Sequence, residues 1–134
     1  MCGIACITGD GPTSSIEAMA RSIRHRGPDA LSTRAFDRAA LGHVRLSIID
    51  LSTGDQPMSD SSGRYWISFN GEIYNYRELR RELLASGCEL RTHSDTEVVV
   101  TAWREWGPAC LDRFRGMFAF AIWDDGEQTL YVYL

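Results

Sequence analysis

Lysine is absent from this 134-residue chain, whose fourteen lysine and arginine positions are all arginine. Without lysine the chain cannot form a Schiff base with a carbonyl substrate or build a GxxxxGK[ST] phosphate loop. An excess of positive charge is also absent, because the formal net charge is −4. An acidic chain is only weakly attracted to phosphate backbones and anionic lipids, so we expect neither nucleic acid nor a membrane as a partner.

Targeting signals and long apolar runs are missing as well. The first residues lack the basic stretch and apolar run of a signal peptide, and no segment is apolar over the length that spans a bilayer. We therefore expect a cytoplasmic protein. In a reducing compartment the four cysteines, at positions 2, 6, 88 and 110, should be free thiols, and without a CxxC pair or a close histidine we expect no metal site.

Hydrophobic patterning predicts one domain of mixed strands and helices, as the chain length also suggests. The predicted strands are GIACIT, RYWISFN, GMFAFAIWD and TLYVYL, with the last two paired, and residues 34–50 should be extended with an interruption near Gly42. GMFAFAIWD is apolar at nearly every position, which indicates a strand covered on both faces. Such a strand implies at least three layers of secondary structure.

Three helices are predicted from capping pairs and terminal glycines. Each begins with a polar cap followed three residues later by glutamate, and each ends at glycine. The predicted spans are 14–27, 75–87 and 94–107, with the capping pairs Ser14–Glu17, Asn75–Glu78 and Ser94–Glu97.

Cys2 is the first candidate for chemistry, although most isolated cysteines are inert packing residues. Because Met1 precedes a small side chain, we expect its removal, which would leave a thiol and a free α-amine on one residue. An α-amine titrates near about 7.7–8.0, so near neutral pH it can accept the thiol proton directly or through one water. Cys2 could then be a nucleophile that carries its own base.

Four further residues are candidates for the site, and each has two interpretations. Asn70 and Gly71 offer an amide donor and a close backbone N–H for an oxyanion, but Asn-Gly is also a common hairpin turn. Arg45 lies among apolar residues, where it could pair with an acid such as Asp50 or bind a substrate carboxylate. Asp95 could cap a helix or bind a ligand. RHRGPD is also typical of a helix end followed by a turn.

Six stretches occur together, in the order MCGIACI, RHRGPD, LGHVRLSIIDLSTGDQPM, FNGEIYNYRELRREL, HSDTEVVV and DRFRGMFAFAIWD. In order and spacing they resemble the N-terminal class II glutamine amidotransferase domain of glutamine-dependent asparagine synthetases. The resemblance covers nearly the whole chain. RHRGPD and RLSIIDLS are similar to the asparagine synthetase branch rather than to the relatives that make amino sugars or phosphoribosylamine.

The resemblance implies an α+β fold, the four-layer αββα sandwich of two antiparallel sheets found in N-terminal-nucleophile hydrolases. It implies a type 2 glutamine amidotransferase domain over residues 2–134. Cys2 would form a thioester with L-glutamine, with its own α-amine as base, and release ammonia for asparagine biosynthesis. The other implied site residues are the oxyanion donors Asn70 and Gly71, the α-carboxylate site Arg45, Leu46, Ser47, Ile48 and Ile49, and the α-amino site Glu72 and Asp95.

The family pattern differs from this chain at the C-terminal end. After AIWD the family continues into an ARDRFGxKPLYY-like stretch, whereas this chain ends with TLYVYL, so the fold is expected to be incomplete at the C-terminus. The synthetase domain, which uses ATP and Mg, is also expected to be absent. The glutaminase reaction itself would need no cofactor. A separate synthetase domain or a second copy of the chain could be a partner.

Two other functions remain open from the sequence. A noncatalytic remnant or interaction module could have the same fold without turnover. A Cys–His hydrolase could instead use His25, His43 or His93 as its base.

Overall fold

The structure is a computed structural model that describes residues 2–9, 13–46 and 54–134. Within these ranges, sheet A contains three antiparallel strands in the order β1-β3-β2: β1 (Gly3–Thr8), β2 (Ala30–Ala35) and β3 (Ala39–Arg45). Sheet B has the order β4-β5-β6-β7: β4 (Met58–Ser59), β5 (Tyr65–Ile73), β6 (Gly116–Asp124) and β7 (Thr129–Tyr133). The α-helices are α1 (Ile16–Ser22), α2 (Tyr76–Ala85) and α3 (Asp95–Trp106).

These elements stack in four layers. On the outer face of sheet A, Ile16 of α1 packs with Ala5 and Ala40. Leu41 of sheet A and Trp123 of sheet B belong to one buried cluster between the two sheets. Helices α2 and α3 cover the other face of sheet B in a larger cluster. The order is therefore α1, sheet A, sheet B, then α2 with α3, which confirms the predicted αββα sandwich.

Strand β6 has both faces buried over residues 120–124, as its apolar sequence predicts. Phe120 and Ile122 belong to the cluster beneath the helices, whereas Ala121 and Trp123 lie between the sheets. Side chains alternate along a strand, so one apolar strand can contribute to two separate cores. β7 pairs with β6 as predicted. No helix in the described ranges has the length and apolarity needed to cross a membrane.

The predicted helix over 14–27 is wrong in its extent and in its cap. The segment is divided into a 3₁₀ turn at Thr13–Ser15, helix α1, and a second 3₁₀ turn at Arg24–Arg26. Ser15 is the N-cap and has helical dihedral angles, and its side chain makes no capping hydrogen bond. The Glu17 carboxylate pairs with Arg21 one turn along the helix, so the Ser14–Glu17 capping pair does not form.

Two further local predictions also differ from the structure. Gly42 does not interrupt the extended segment; it lies inside β3, where an added Cβ would approach the Ala20 Cβ to 3.3 Å. The break comes earlier, between β2 and β3. Asn75 precedes α2 but makes no capping bond, because its side chain accepts from Arg115 N and donates to the Arg113 carbonyl, both at 2.9 Å. A tertiary link to the start of β6 therefore replaces the local cap.

Candidate active site

Asn70 and Gly71 lie within strand β5, so they do not form a hairpin turn. Their backbones pair with Ala119 and Phe118 of β6. Gly71 has φ 146°, and a Cβ there would overlap the Met117 carbonyl oxygen. Only glycine therefore suits this position. The Ser68 hydroxyl donates to the Gly42 carbonyl at 2.8 Å, so Ser68 faces sheet A. Asn70 is two residues further along β5 and therefore lies on the same face.

Cys2 lies immediately before β1, beside the end of β3. Its sulfur accepts a hydrogen bond from the Leu46 backbone N–H at 3.4 Å. Its carbonyl oxygen accepts from Arg26 Nε at 3.2 Å. Two parts of the chain distant in sequence thus hold this half-buried cysteine, one at its sulfur and one at its backbone.

The ends of β1 and β3 and the middle of β5 meet at one end of the sandwich. Gly3, next to Cys2, pairs with Val44. One residue earlier in β3, His43 donates from Nε2 to the Phe69 carbonyl at 3.1 Å, since a carbonyl can only accept. Phe69 directly precedes Asn70. These contacts bring the two candidate regions, around Cys2 and around Asn70, to the same end of the two sheets.

Arg45 lies at the end of β3, next to the Leu46 N–H that contacts Cys2. Its guanidinium pairs with the Asp55 carboxylate at 3.2 Å; the Arg45 side chain is 15% exposed and that of Asp55 is 96% exposed. An exposed carboxylate gives a weak ion pair, which a ligand carboxylate could replace. The acid suggested from the sequence, Asp50, lies outside the described residues, as do Ser47, Ile48 and Ile49 of the predicted α-carboxylate site.

Asp95 begins helix α3 and is tied to the end of β5. Its Oδ2 accepts from Ile73 N at 3.0 Å. Burial raises the pKa of the Asp95 carboxyl, and the nearby Glu72 carboxylate raises it further, while hydrogen bonds from backbone N–H groups act in the opposite direction. A cation between Asp95 and Glu72 would relieve this repulsion. The two carboxylates therefore form a candidate site for an ammonium group.

A model of the glutamine amidotransferase domain matches residues 1–133. The chain belongs to this family. Asparagine synthetase [glutamine-hydrolyzing] 1 of Bacillus subtilis is 42% identical over 138 residues, covering 98% of this chain and 22% of the relative. Asparagine synthetase B [glutamine-hydrolyzing] of Escherichia coli K12 is 43% identical over 114 residues, covering 85% of this chain and 20% of the relative. The chain thus spans about a fifth of the length of these curated relatives.

A solved structure supports the fold independently. The glutamine phosphoribosylpyrophosphate amidotransferase from B. subtilis matches with a TM-score of 0.71 over 93% of this chain and 35% of that chain, at 19% identity. At this identity the likeness concerns the fold alone. It confirms the predicted N-terminal-nucleophile hydrolase architecture.

The three histidines of this amidotransferase domain occupy different environments. The pKa of His43 is lowered to about 4, mainly by burial; the hydrogen bond to the Phe69 carbonyl acts in the opposite direction, and the charge of Arg45 adds to the lowering. A pKa this low makes His43 a weak base at neutral pH, which disfavours it as the base for Cys2. His25 lines an open cavity of about 460 Å³ with Arg26, Pro28 and Leu46. His93 is exposed shortly before α3.

The sequence interpretation did not assign two side chains that support the site. Arg26 belongs to RHRGPD, a motif that is also typical of a helix end. Only the folded chain brings the Arg26 side chain to the Cys2 carbonyl. Gln56, in GDQPM, accepts from Phe69 N at 2.6 Å. No local pattern marks either contact. In the described ranges no group of three or more His, Cys, Asp or Glu side chains could hold a metal ion.

Proposed function

We propose that this chain hydrolyses L-glutamine to glutamate and ammonia, as the glutaminase part of an asparagine synthetase, through a thioester on Cys2. The observation that carries the proposal is the 3.4 Å contact from Leu46 N–H to the Cys2 sulfur, beside Arg45 and at the end of the sandwich that holds Asn70. Membership of the glutamine amidotransferase family supports the substrate, and the names of the relatives support asparagine synthesis.

The reaction follows from the chemistry of these groups. With Met1 removed, the α-amine of Cys2 takes the thiol proton, and the thiolate attacks the side-chain amide carbon of glutamine. The Asn70 amide and the Gly71 N–H donate to the oxyanion. The C–N bond then breaks, and the proton held by the α-amine leaves with the nitrogen as ammonia. Water attacks the thioester, which releases glutamate and restores the thiol.

Opposite charges would hold the two ends of the amino acid. Arg45 binds the α-carboxylate, in place of the exposed Asp55 carboxylate and together with the segment from Leu46 to Ile49. Glu72 and Asp95 bind the α-ammonium group, whose charge relieves the repulsion that helps to raise the Asp95 pKa.

Neither half of this reaction requires a cofactor. Residues 2–134 would form the glutaminase domain of a cytoplasmic enzyme. For asparagine synthesis, this domain would pass ammonia to a synthetase domain that uses ATP and Mg. That domain and a second copy of the chain are the proposed partners.

The first prediction concerns the nucleophile. Cys2→Ala should reduce ammonia release from glutamine on the order of 10³-fold or more, because it removes the sulfur that forms the proposed thioester. Cys2→Ser should also lose most activity, because its hydroxyl is a poorer nucleophile. Ammonia release is measured beside Cys88→Ala, a control that removes a half-buried thiol from a different part of the fold.

The contradicting results are equally distinct. Equal activity in the Cys2 variants and in the Cys88 control would rule out the thioester. A folded chain without turnover, and without labelling by a thiol-directed glutamine analogue, would favour the noncatalytic interaction module. Activity that disappears on replacing one of His25, His43 or His93, while the folded fraction stays constant, would favour the Cys–His hydrolase.

The second prediction concerns Met1. A chain that retains Met1 should be inactive, because its Cys2 nitrogen is an amide and cannot accept a proton at neutral pH. Intact mass measured on the same preparation as the glutaminase assay tests this. Full activity in a preparation whose mass still includes Met1 would contradict the role of the α-amine as base.

A further inference from the structure

Gln56 connects two structural elements that carry different parts of the proposed site. Its Oε1 accepts from Phe69 N at 2.6 Å, and its Nε2 donates to Thr96 Oγ1 at 3.3 Å. Phe69 precedes Asn70 in β5, and Thr96 follows Asp95 in α3. One buried side-chain amide therefore joins the strand of the oxyanion donors to the helix of the ammonium site.

The orientation of the Gln56 amide follows from its partners. Phe69 N–H is a donor and needs the amide oxygen, which directs the NH₂ group toward the Thr96 hydroxyl. The reversed orientation would place two donors against each other and leave a buried N–H without an acceptor. Losing such a bond is costly because the unpaired N–H stays buried and cannot form a hydrogen bond to water instead.

Strand geometry explains why a side chain fills this role. β4 pairs with β5 through Met58 and Ile67. Continuing the same antiparallel register by two residues would put Gln56 opposite Phe69, but β4 begins only at Met58. The Gln56 side chain meets the Phe69 N–H where the backbone of a longer strand would otherwise pair with it.

The contacts on either side of the oxyanion donors come from the same helix end. Gln56 and Thr96 secure β5 at Phe69, and the Asp95 carboxylate secures β5 at Ile73 by accepting its N–H at 3.0 Å. Between these points lie residues 70–72. The start of α3 is thereby fixed to β5 on both sides of the segment that includes Asn70 and Gly71.

We infer that Gln56 is a positioning residue whose side-chain amide sets the spacing between the oxyanion donors of β5 and the ammonium site at the start of α3. The inference rests on the proposed glutaminase function. Gln56 itself does not touch the substrate. Its loss would allow β5 and α3 to shift relative to each other, so both substrate binding and transition-state stabilisation would weaken.

Replacing Gln56 with methionine tests this inference, since methionine is of similar length but neither donates nor accepts as an amide does. In Gln56→Met we expect KM for glutamine to rise and kcat/KM to fall about 10- to 100-fold, because misplacing reacting groups by about 1 Å can cost on the order of 100-fold. Thr96→Val removes the same bridge from its other end and should also raise KM. Gln128→Met, which alters an exposed glutamine in the turn before β7, should leave both constants unchanged.

The KM value separates positioning from a merely structural role. A structural defect would lower the fraction of active molecules, which reduces kcat and leaves KM at the wild-type value. Wild-type KM in both Gln56→Met and Thr96→Val would therefore overturn the inference. If the two replacements act on one bridge, the double variant should be no worse than the worse single variant, whereas additive losses would contradict a shared bridge.

Amide hydrogen exchange distinguishes failure of this inference from failure of the proposed function. The Phe69 amide should be protected in the wild-type chain and exchange faster in Gln56→Met, whether or not the chain hydrolyses glutamine. Absence of wild-type glutaminase activity would overturn the proposed function, and the exchange result would then decide the anchoring role of Gln56. Equal protection in both proteins would overturn that role.

Discussion

His43 is a buried titratable group whose environment opposes its charged form. Its side chain lies between the sheets with 3% of its surface exposed, and burial lowers its pKa to about 4 from an ordinary value of 6.5. The unfolded chain therefore binds a proton between these pH values that the folded chain does not bind. Folding stability falls as pH decreases through this window, by roughly 3 kcal/mol in total from this one group.

Replacing His43 with glutamine tests that pH dependence. Glutamine can still donate to the Phe69 carbonyl but does not titrate, so lowering the pH from 7 to 5 should destabilise His43→Gln by about 2 kcal/mol less than the wild type. Urea unfolding at both pH values measures the difference. His93→Asn, at an exposed position, is the control and should retain the wild-type dependence. An unchanged dependence in His43→Gln would refute the burial effect.

Gly71 is a second residue whose identity is determined by its surroundings, because the backbone of β6 leaves no space for a Cβ. Gly71→Ala would force a left-handed φ on alanine and overlap the Met117 carbonyl, so we expect a loss of more than about 3 kcal/mol of folding free energy. Gly63→Ala is the matched control, because Gly63 has φ 76° with open space around its missing Cβ. It should lose only about 1–2 kcal/mol. Equal losses in urea unfolding would contradict the steric argument.

The candidate site residues differ in how far their roles could be predicted from the sequence. Asn70 and Gly71 could be proposed because an amide donor next to glycine has a recognisable chemistry. Gln56 could not, since its role depends on Phe69 and Thr96, which lie 13 and 40 residues away. Their assigned roles in catalysis remain predictions, whereas their contacts are features of the fold.

Helix starts show how a local signal depends on the surrounding structure. Ser94 caps α3 as predicted, with Oγ accepting from Glu97 N at 3.3 Å. The Glu97 carboxylate is buried and accepts from the backbone N–H groups of Arg91 and Thr92, which orders the loop before the helix. Ser14 satisfies the same sequence pattern, but a 3₁₀ turn moves the N-cap to Ser15.

The two serines therefore give a paired prediction at the level of the helix. Ser94→Ala should destabilise the fold by about 1 kcal/mol, because an N-terminal backbone N–H of α3 loses its acceptor. Ser14→Ala should change stability by less than about 0.5 kcal/mol, as exposed positions away from such features do. Chemical denaturation of both variants measures the difference. A loss as large for Ser14 as for Ser94 would mean that the predicted cap forms in solution.

Strand boundaries were less predictable than strand positions. β5 continues to Ile73 because β6 pairs with it along its full length, through Asn70 and Gly71. Local composition suggests instead that the strand ends at Asn70, since asparagine and glycine are common in turns. Pairing with a partner strand overrides this preference.

At the level of the whole molecule, the apolar sequence of β6 correctly indicates a strand between two layers, and the resemblance correctly indicates the αββα sandwich. The assignment of strands to sheets has a different origin. β3 lies between β1 and β2 in sheet A, so β1 pairs with a strand more than 30 residues later in the chain. Nothing in the local periodicity of either strand specifies this pairing.

The amino-acid sequence by itself determined which segments are apolar on one or two faces, where α3 begins and ends, and which chemical groups are available, because these depend on neighbouring residues and on composition. Only the tertiary structure decided that Cys2 meets Leu46, that Arg26 reaches the Cys2 carbonyl and that Gln56 joins β5 to α3. The reason is physical: each of these contacts joins residues far apart in the chain. The packing of whole sheets and helices selects such partners, and no local preference encodes them.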